Sequence, residues 1–402
     1  LLRDQKVSEV SLTGAVFLWT MILATLAAFA WSILTWNKGA GTGWWAILRR
    51  IGRQLTVTVL VVLTLGAGLN RQYDWYANWS DLGSAFSNSA PTADVQVAGA
   101  APSAAAAGHL ASSGDAVTGN QTGGVLHPAA SLGLRVDPGR QGQYKTFTVP
   151  GPISGHSGPV TIWFPSDYGS QAQSRHRFPV IEAFHGIPGS PLQLTSKYVN
   201  IGATLSDQVA AGHLRAAIVV MPDYTPQGID TECVNGTGNG PRMEDWLTKD
   251  IPEWINAHIR VDRDRGSWAT LGFSGGAWCA AMSAMLHPET YAAGVSLDGY
   301  FQPTFERPYI PFSAGSAEAQ RYDMVRLAHT APPRVALWIL TSKTDALSYD
   351  TARQLLADAR APLSITAVVL ATGGHRTSLW KPFLPQTMQW LGSNLAGFAR
   401  LP

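Results

Sequence analysis

Two unlike patterns of apolar positions divide this chain. From Leu12 to Trp36 apolar residues run almost without a break and no charged residue intervenes. As a helix rising ~1.5 Å per residue, this run covers roughly 36 Å, enough to cross a bilayer with some tilt. A buried helix of a soluble protein seldom lacks charge for so long. A second run, Leu55 to Leu69, is shorter and bounded by Arg53 and Arg71. It spans if those arginines reach back toward the interface. The pattern predicts membrane helices over about 12–36 and 53–70, followed by an aromatic patch (Tyr73, Trp75, Tyr76, Trp79) suited to a membrane–water interface.

Beyond residue 133 the period changes. Tyr144–Val149 and Val160–Phe164 read as an opening antiparallel pair separated by Pro and Gly turn residues. Strand-like runs at 178–184, 216–221, 268–271, 293–297, 335–340 and 365–370 then alternate with helical runs at 192–212, 246–259, 277–286, 348–359 and 387–398. Such alternation predicts an α/β fold: a mostly parallel sheet with helices on both faces, whose ligands sit beyond the carboxyl ends of the strands. Between the two patterns, residues 84–132 are Ala, Gly, Ser, Pro and Thr with hardly a charge. They offer too little apolar surface to offset chain entropy and read as a flexible linker. The expected layout is a membrane anchor over 1–83, a linker over 84–132 and an α/β domain over 133–402.

Composition sharpens this picture in two places. Charged residues are 14% of the 402 and hydrophobic ones 46%, an imbalance that suits a membrane portion joined to a neutral linker. The net charge is +2 with no broad Lys/Arg-rich run, which argues against a nucleic-acid partner. The connection between the apolar runs carries Lys38, Arg49, Arg50 and Arg53 and no acidic residue, and is expected to stay cytoplasmic. Two spans would then place the domain on the extracytoplasmic side of the cell membrane; a single span would leave it cytoplasmic. The chain begins with Leu1 rather than Met, as a fragment or a processed form would, and nothing at that end resembles a cleavable signal peptide.

The chemistry concentrates in Leu271-Gly272-Phe273-Ser274-Gly275-Gly276, a G-x-S-x-G between a strand-like and a helix-like run. A serine on a tight strand-to-helix turn is pushed above the sheet, and the flanking glycines let neighbouring backbones approach. A hydroxyl is a weak nucleophile, so Ser274 needs a base, and the base an orienting acid; this motif class orders them Ser, acid, His. Of the histidines that follow, His287 stands at a helix end, where its charge suits the helix dipole. His329 precedes a strand, at the wrong edge of the sheet. His375, in a Gly-rich loop after the last strand, is the expected base. Asp345, leaving the strand 335–340, is the expected acid. Asp298 after the preceding strand and Asp350 at a helix start remain alternatives, and Asp358 reads as a solvated helix residue. Two N–H donors are needed for the developing oxyanion. Gly275 supplies one, and the loop His185-Gly186-Ile187-Pro188-Gly189 the other, through the backbone around Gly186 and Ile187. His185 reads as structural.

The two cysteines, Cys233 and Cys279, fall in a long loop (223–242) and on the helix after the nucleophile. An oxidising compartment would permit a disulfide pinning that loop over the site, although two buried thiols would look the same in sequence. No clustered His/Cys/Asp spacing suggests a metal, and no Gly-rich stretch ends in the Lys-Ser/Thr of a phosphate loop, so no cofactor is expected.

From about Tyr144 to Leu395 the chain resembles the esterase D / putative esterase family of α/β-hydrolases, which includes feruloyl esterases and actinobacterial mycolyltransferases. The matching elements are His185-Gly186 with Pro188-Gly189, Gly272-Phe273-Ser274-Gly275-Gly276, Asp345, and Gly374-His375. The arrangement Asp223…Asp230-Thr231-Glu232-Cys233 with Cys279 is similar to membrane-anchored actinobacterial members. The resemblance implies an α/β-hydrolase fold, Ser274 as nucleophile, His375 as base, Asp345 as acid, and Gly275 with Ile187 as oxyanion donors. It implies a serine esterase acting on a small-molecule, lipid or sugar ester. The alternative is acyl transfer to an envelope sugar or lipid, against which stands the Asp at a position where mycolyltransferases often carry Glu. A non-enzymatic binding module on the same scaffold is the third expectation.

Overall fold

The computed structural model describes residues 11–37, 41–73, 75–79, 81–83, 93–99, 142–169, 176–305 and 309–400. The chain divides into two compact units. One holds Leu1–Thr92 together with the short stretches Ser342–Asp345 and Leu370–Leu379; the other holds Ala93–Thr341, Ala346–Val369 and Trp380–Pro402.

The larger unit is built on a nine-stranded sheet. Its strands are β1 (Ala93–Gly99), β2 (Gln143–Pro150), β3 (Ser157–Phe164), β4 (Val180–Phe184), β5 (Ile218–Pro222), β6 (Trp268–Phe273), β7 (Ala293–Leu297), β8 (Ala336–Ser342) and β9 (Ser364–Leu370), in the order β1-β9-β8-β7-β6-β4-β5-β3-β2. β2 pairs antiparallel with β3, and β3 with β5, which makes the expected opening hairpin an edge of the sheet. From β5 through β4, β6 and β7 to β8 the pairing is parallel. Every residue of β4, β5, β6, β7 and β8 is buried, as strands covered on both faces require. That explains why these strands read as continuous apolar runs rather than as alternating ones.

Helices Ile201–Ala210, Ile251–His258, Gly275–Leu286, Met324–Thr330, Ala346–Asp358 and Leu384–Asn394 accompany the sheet. Trp246, Trp268, Trp278 and Trp338 are fully buried, so much of the tryptophan content serves this core as well as the N-terminal segments. The expected helix 192–212 breaks in two because Asn200 adopts a left-handed conformation; its side chain then accepts from the Ala203 N–H and caps the second piece. The helix Met324–Thr330, capped by Asp323, was not expected. It places His329 on a helix.

Within the expected linker 84–132, residues Ala93–Gly99 form strand β1 beside β9, and the rest of that stretch lies outside the described residues. The flexible-linker reading therefore needs correction over 93–99. Asp94-Val95-Gln96-Val97 alternates as a strand should, but its side chains stay largely exposed, so the signal was faint. Gly99 ends it with φ +71°, where an added Cβ would meet the Leu363 carbonyl oxygen at 2.1 Å.

The smaller unit contains two long helices, α1 (Ala15–Leu34) and α2 (Trp44–Tyr73), both long and apolar enough to cross a membrane. Leu23 and Leu63 are more than half exposed, as lipid-facing side chains would be. The helices run antiparallel, joined midway by the Thr25 and Thr64 hydroxyls at 2.7 Å and at their ends by arginines. Arg53 Nη1 donates to the Thr35 carbonyl (2.5 Å) and hydroxyl (3.0 Å), and Arg71 Nη1 to the Thr13 carbonyl (3.2 Å). α2 starts well before the expected run because Arg49, Arg50 and Arg53 lie within the helix. Arg53 is buried and satisfies the carbonyl of Thr35, the residue that caps α1.

Candidate active site

The Ser274 turn is fixed by contacts that only glycine permits. Ser274 sits at φ 57°, ψ −131°, between the end of β6 and the helix Gly275–Leu286. That region of backbone space is costly for a residue with a side chain and persists only where its surroundings impose it. Here they do. A Cβ on Gly272 would lie 2.0 Å from the Gly276 carbonyl oxygen, and one on Gly276 would lie 2.2 Å from the His185 oxygen and 2.4 Å from that of Phe184. The Ser274 N–H donates to the Leu297 carbonyl at 3.1 Å, tying the turn to the end of β7. Phe273 stacks on Trp380 with centroids 4.0 Å apart.

The loop after β4 lies against this turn. A Cβ on Gly186 would be 2.8 Å from the Phe273 ring and 3.4 Å from the Ser274 Cβ, and one on Gly275 would be 3.0 Å from Ile187 Cγ1. Gly186 thus lies close against Phe273 and Ser274, and Gly275 against Ile187. The Gly186 N–H, however, donates to Gln193 Oε1 at 3.0 Å, while Gln193 Nε2 donates to the Pro188 carbonyl at 2.8 Å. Gln193 was invisible as a functional residue in the sequence, since a Gln on a short helix carries no motif.

His185 is fully buried, stacks on Tyr224 at 4.3 Å and has its Nε2 3.8 Å from Asp223, as a structural histidine should. Hydrogen bonding with His185 holds the Asp223 carboxyl below its usual range, against the opposing effect of burial.

Cys233 and Cys279 form a disulfide, with Cα atoms 5.7 Å apart. It fastens the loop 223–242 to the helix Gly275–Leu286. Trp278 Nε1 reinforces it by donating to the Glu232 carbonyl at 2.8 Å. The Glu232 side chain is buried and accepts from the Tyr300 hydroxyl (2.7 Å) and the Thr304 hydroxyl (3.2 Å). Burial, aided by the nearby Asp230 charge, pushes the Glu232 carboxyl up to about 8, so it is protonated at neutral pH. The Tyr300 hydroxyl stands 3.5 Å from where a Gly275 Cβ would be. A phenol backed by a neutral carboxyl therefore borders the Ser274 turn. Sequence reading passed over Tyr300, whose only local signal is its place two residues after Asp298.

Asp345 and His375 come together in the smaller unit. Asp345 leaves the end of β8 and is fully buried; His375 follows β9, and its Nδ1 lies 2.8 Å from Asp345 Oδ2. With the proton on Nδ1, the ring donates to the carboxylate and leaves Nε2 to accept a proton. The two loops are laced together. The Ser342 and Thr344 hydroxyls both donate to the Gly373 carbonyl at 2.8 Å, and the Gly373 N–H donates to Thr344 Oγ1 at 2.8 Å.

The other acids and histidines have different surroundings. Asp298 is buried at φ 61° and accepts from the Ser348 hydroxyl at 2.9 Å. Asp350 is exposed. Asp358 and His329 approach at 4.0 Å on the surface. His287 does end a helix, but a buried carboxylate dominates its environment: its Nε2 is 2.8 Å from Glu244, which Arg321 and the Tyr322 hydroxyl also engage. Burial raises the Glu244 carboxyl, but hydrogen bonds from His287, Arg321 and Tyr322 prevail and bring it to about 2.

Residues 153–391 match the family model described as Putative esterase. An uncharacterised protein of Corynebacterium glutamicum is 25% identical over 228 residues, which cover 54% of this chain and 53% of that protein; the chain spans about half the length of this curated relative. Among solved structures, the S-formylglutathione hydrolase of Agrobacterium tumefaciens superposes with TM-score 0.54 at 18% identity, covering 64% of this chain and 96% of that one. A ferulic acid esterase gives TM-score 0.51 at 17% identity over 63% of this chain and 98% of its own. The fluorophosphonate-binding serine hydrolase F of Staphylococcus aureus gives 0.51 at 16% identity over 62% and 98%. These likenesses establish the α/β-hydrolase fold. The family match covers more than half the chain, and this chain belongs to the putative esterase family.

Proposed function

We propose that the chain is a membrane-tethered, extracytoplasmic serine esterase that hydrolyses carboxylic esters through an acyl-serine intermediate. The observation that carries this reading is the strained Ser274 turn packed against Ile187 and Gly275, in a chain whose His375 is already oriented by Asp345. In this reading His375 Nε2 takes the Ser274 proton as Oγ attacks the ester carbonyl, and Asp345 stabilises the imidazolium. The N–H groups of Ile187 and Gly275 receive the oxyanion. Gly186, whose N–H Gln193 occupies, supplies room for the turn and not a hydrogen bond. The imidazolium returns its proton to the leaving alcohol, and water, activated by the same base, frees the acid.

Three features support the tether and its direction. Two apolar helices precede the hydrolase portion, the arginines 49, 50 and 53 cluster at the start of α2, and a disulfide suits an oxidising compartment. The proposed layout keeps an anchor over 1–83 and a catalytic domain over 133–402, with β1 contributed from between them. The test is hydrolysis of p-nitrophenyl butyrate by the full chain in nanodiscs: Ser274→Ala should abolish it, and wild-type turnover in that variant would overturn the assignment. The apolar helices also favour a second reading, acyl transfer to a lipid or sugar acceptor, because they would keep the enzyme beside such acceptors. Acylated acceptor among the products would select transfer; free acid alone would select hydrolysis.

A further inference from the structure

The residue after the proposed base points back toward the membrane anchor. Arg376 places its guanidinium on Asp81, with Nη2 2.7 Å from Oδ1 and Nη1 2.9 Å from Oδ2, a bidentate pair. Nη1 also donates to the Trp75 carbonyl at 2.9 Å, and the guanidinium lies over the Tyr76 ring, 4.8 Å from its centroid. The pair is shielded from solvent: the Asp81 side chain is 2% exposed and that of Arg376 10%. All of these residues fall within one compact unit.

The segment Trp75–Gly83 is itself tied to the apolar helices. Asn70 near the end of α2 both donates to and accepts from the Tyr76 backbone, at 2.9 and 2.8 Å. The Leu12 N–H donates to the Ala77 carbonyl at 3.0 Å, and the Ala77 N–H to Asp81 Oδ2 at 3.0 Å. Trp79 meets Phe17 of α1 edge-on at 6.0 Å. A continuous series of short contacts therefore runs from the two helices, through Asp81 and Arg376, to the backbone of His375, whose ring is fixed at its other end by Asp345. A buried ion pair is a poor way to gain stability but a strict way to fix geometry, because few arrangements satisfy both charges.

We propose that Asp81 and Arg376 are positioning residues for the base, so that the segment adjoining the membrane is a working part of the catalytic machinery and not merely the start of a leash. This inference rests on His375 being the base. It gives the anchor a second task, since the orientation of His375 depends on residues that the hydrolase portion alone does not contain.

The test uses the full chain in nanodiscs and reads the rate at which a fluorophosphonate probe labels Ser274, with kcat and KM for p-nitrophenyl butyrate alongside. Asp81→Asn and Arg376→Gln are each expected to slow labelling and lower kcat by about 10- to 100-fold, with KM within about twofold, following the cost of a misplaced catalytic group. Asp81→Glu should recover part of the loss. Since one unpaired buried charge can prevent folding, the doubly apolar variant Asp81→Leu/Arg376→Met serves as a second arm, retaining the packing without the fork. It is expected to fold, as judged by its thermal midpoint, and still to label at least about 10-fold slowly. Labelling at the wild-type rate in a folded Asp81→Asn or in the doubly apolar variant would overturn the proposal. Failure of the wild-type protein to label would instead overturn the esterase reading beneath it.

Discussion

The two halves of the proposed catalytic apparatus are held by different means. The Ser274 turn is set by backbone against backbone: Gly272 and Gly276 leave no space for a Cβ, and the carbonyls of Phe184 and His185 close on Gly276 directly. The Asp345–His375 pair is set by side chains: two hydroxyls on the Gly373 carbonyl, one carboxylate on one imidazole, and an arginine bound to an aspartate 295 residues away in sequence. Backbone packing gives a turn that either forms or fails. Side-chain support can weaken by degrees, so variation in this enzyme's rate should arise in the histidine loop sooner than in the nucleophile turn.

That contrast can be broken most forcefully at its chemical ends. Ser274→Ala should lower kcat by about 10⁶-fold with the fold retained, as judged by an unchanged circular dichroism spectrum. Asp345→Asn should cost about 10⁴-fold in kcat by favouring the wrong imidazole tautomer. If Asp298→Asn proved the more damaging of the two substitutions, the acid would have to be reassigned one strand earlier. Gly276→Ala probes the backbone half: it should destabilise the protein by about 3 kcal/mol or more, lowering Tm by near 8 °C, because its methyl has nowhere to go. An unchanged Tm in a folded Gly276→Ala would contradict the packing described for the turn.

A smaller effect separates the interior from the site in pH. Burial pushes the Glu182 carboxyl, bound by the Tyr291 hydroxyl, up to about 8 from the ordinary 4.5, and Glu232 reaches a similar value. Between those pH values the folded state keeps protons that the unfolded chain has released. Stability should therefore fall as pH rises through this window, by at most ~1.4 kcal/mol per pH unit for each group. Glu244, brought down to about 2, acts oppositely: its contribution is full above about 4.5 and is lost as pH falls toward 2. Denaturation midpoints of the wild type, Glu182→Gln and Glu232→Gln at pH 5 and pH 8 would show a flatter dependence in each variant; identical slopes would refute the assignment of protons to these groups.

The parallel sheet and its order of elements were legible in the sequence because buried strands are continuous apolar runs, and eight of the nine strands overlap such runs or the opening hairpin. The nucleophile turn was legible for a related reason: glycine spacing records local backbone crowding. Strand β1 was missed because its exposed side chains carry almost no burial signal. Gln193, Tyr300, Asp81 and Arg376 were missed for a deeper reason. Each acts through a partner distant in sequence or through an unremarkable hydrogen bond, and neither leaves a local periodicity. His287 was half read: the helix end was foreseeable, but Glu244, on another element, was not.

The Cys233–Cys279 link carries a practical consequence for anyone preparing this enzyme. It spans 46 positions of chain, a separation for which loop-closure arguments give about 4 kcal/mol of stabilisation. A host whose cytosol keeps thiols reduced would yield protein in which the segment bearing Glu232 is no longer clasped to its helix, and such preparations should melt earlier and handle ester less consistently. Secretory expression, or refolding under a defined glutathione couple, is the route that should deliver uniform material.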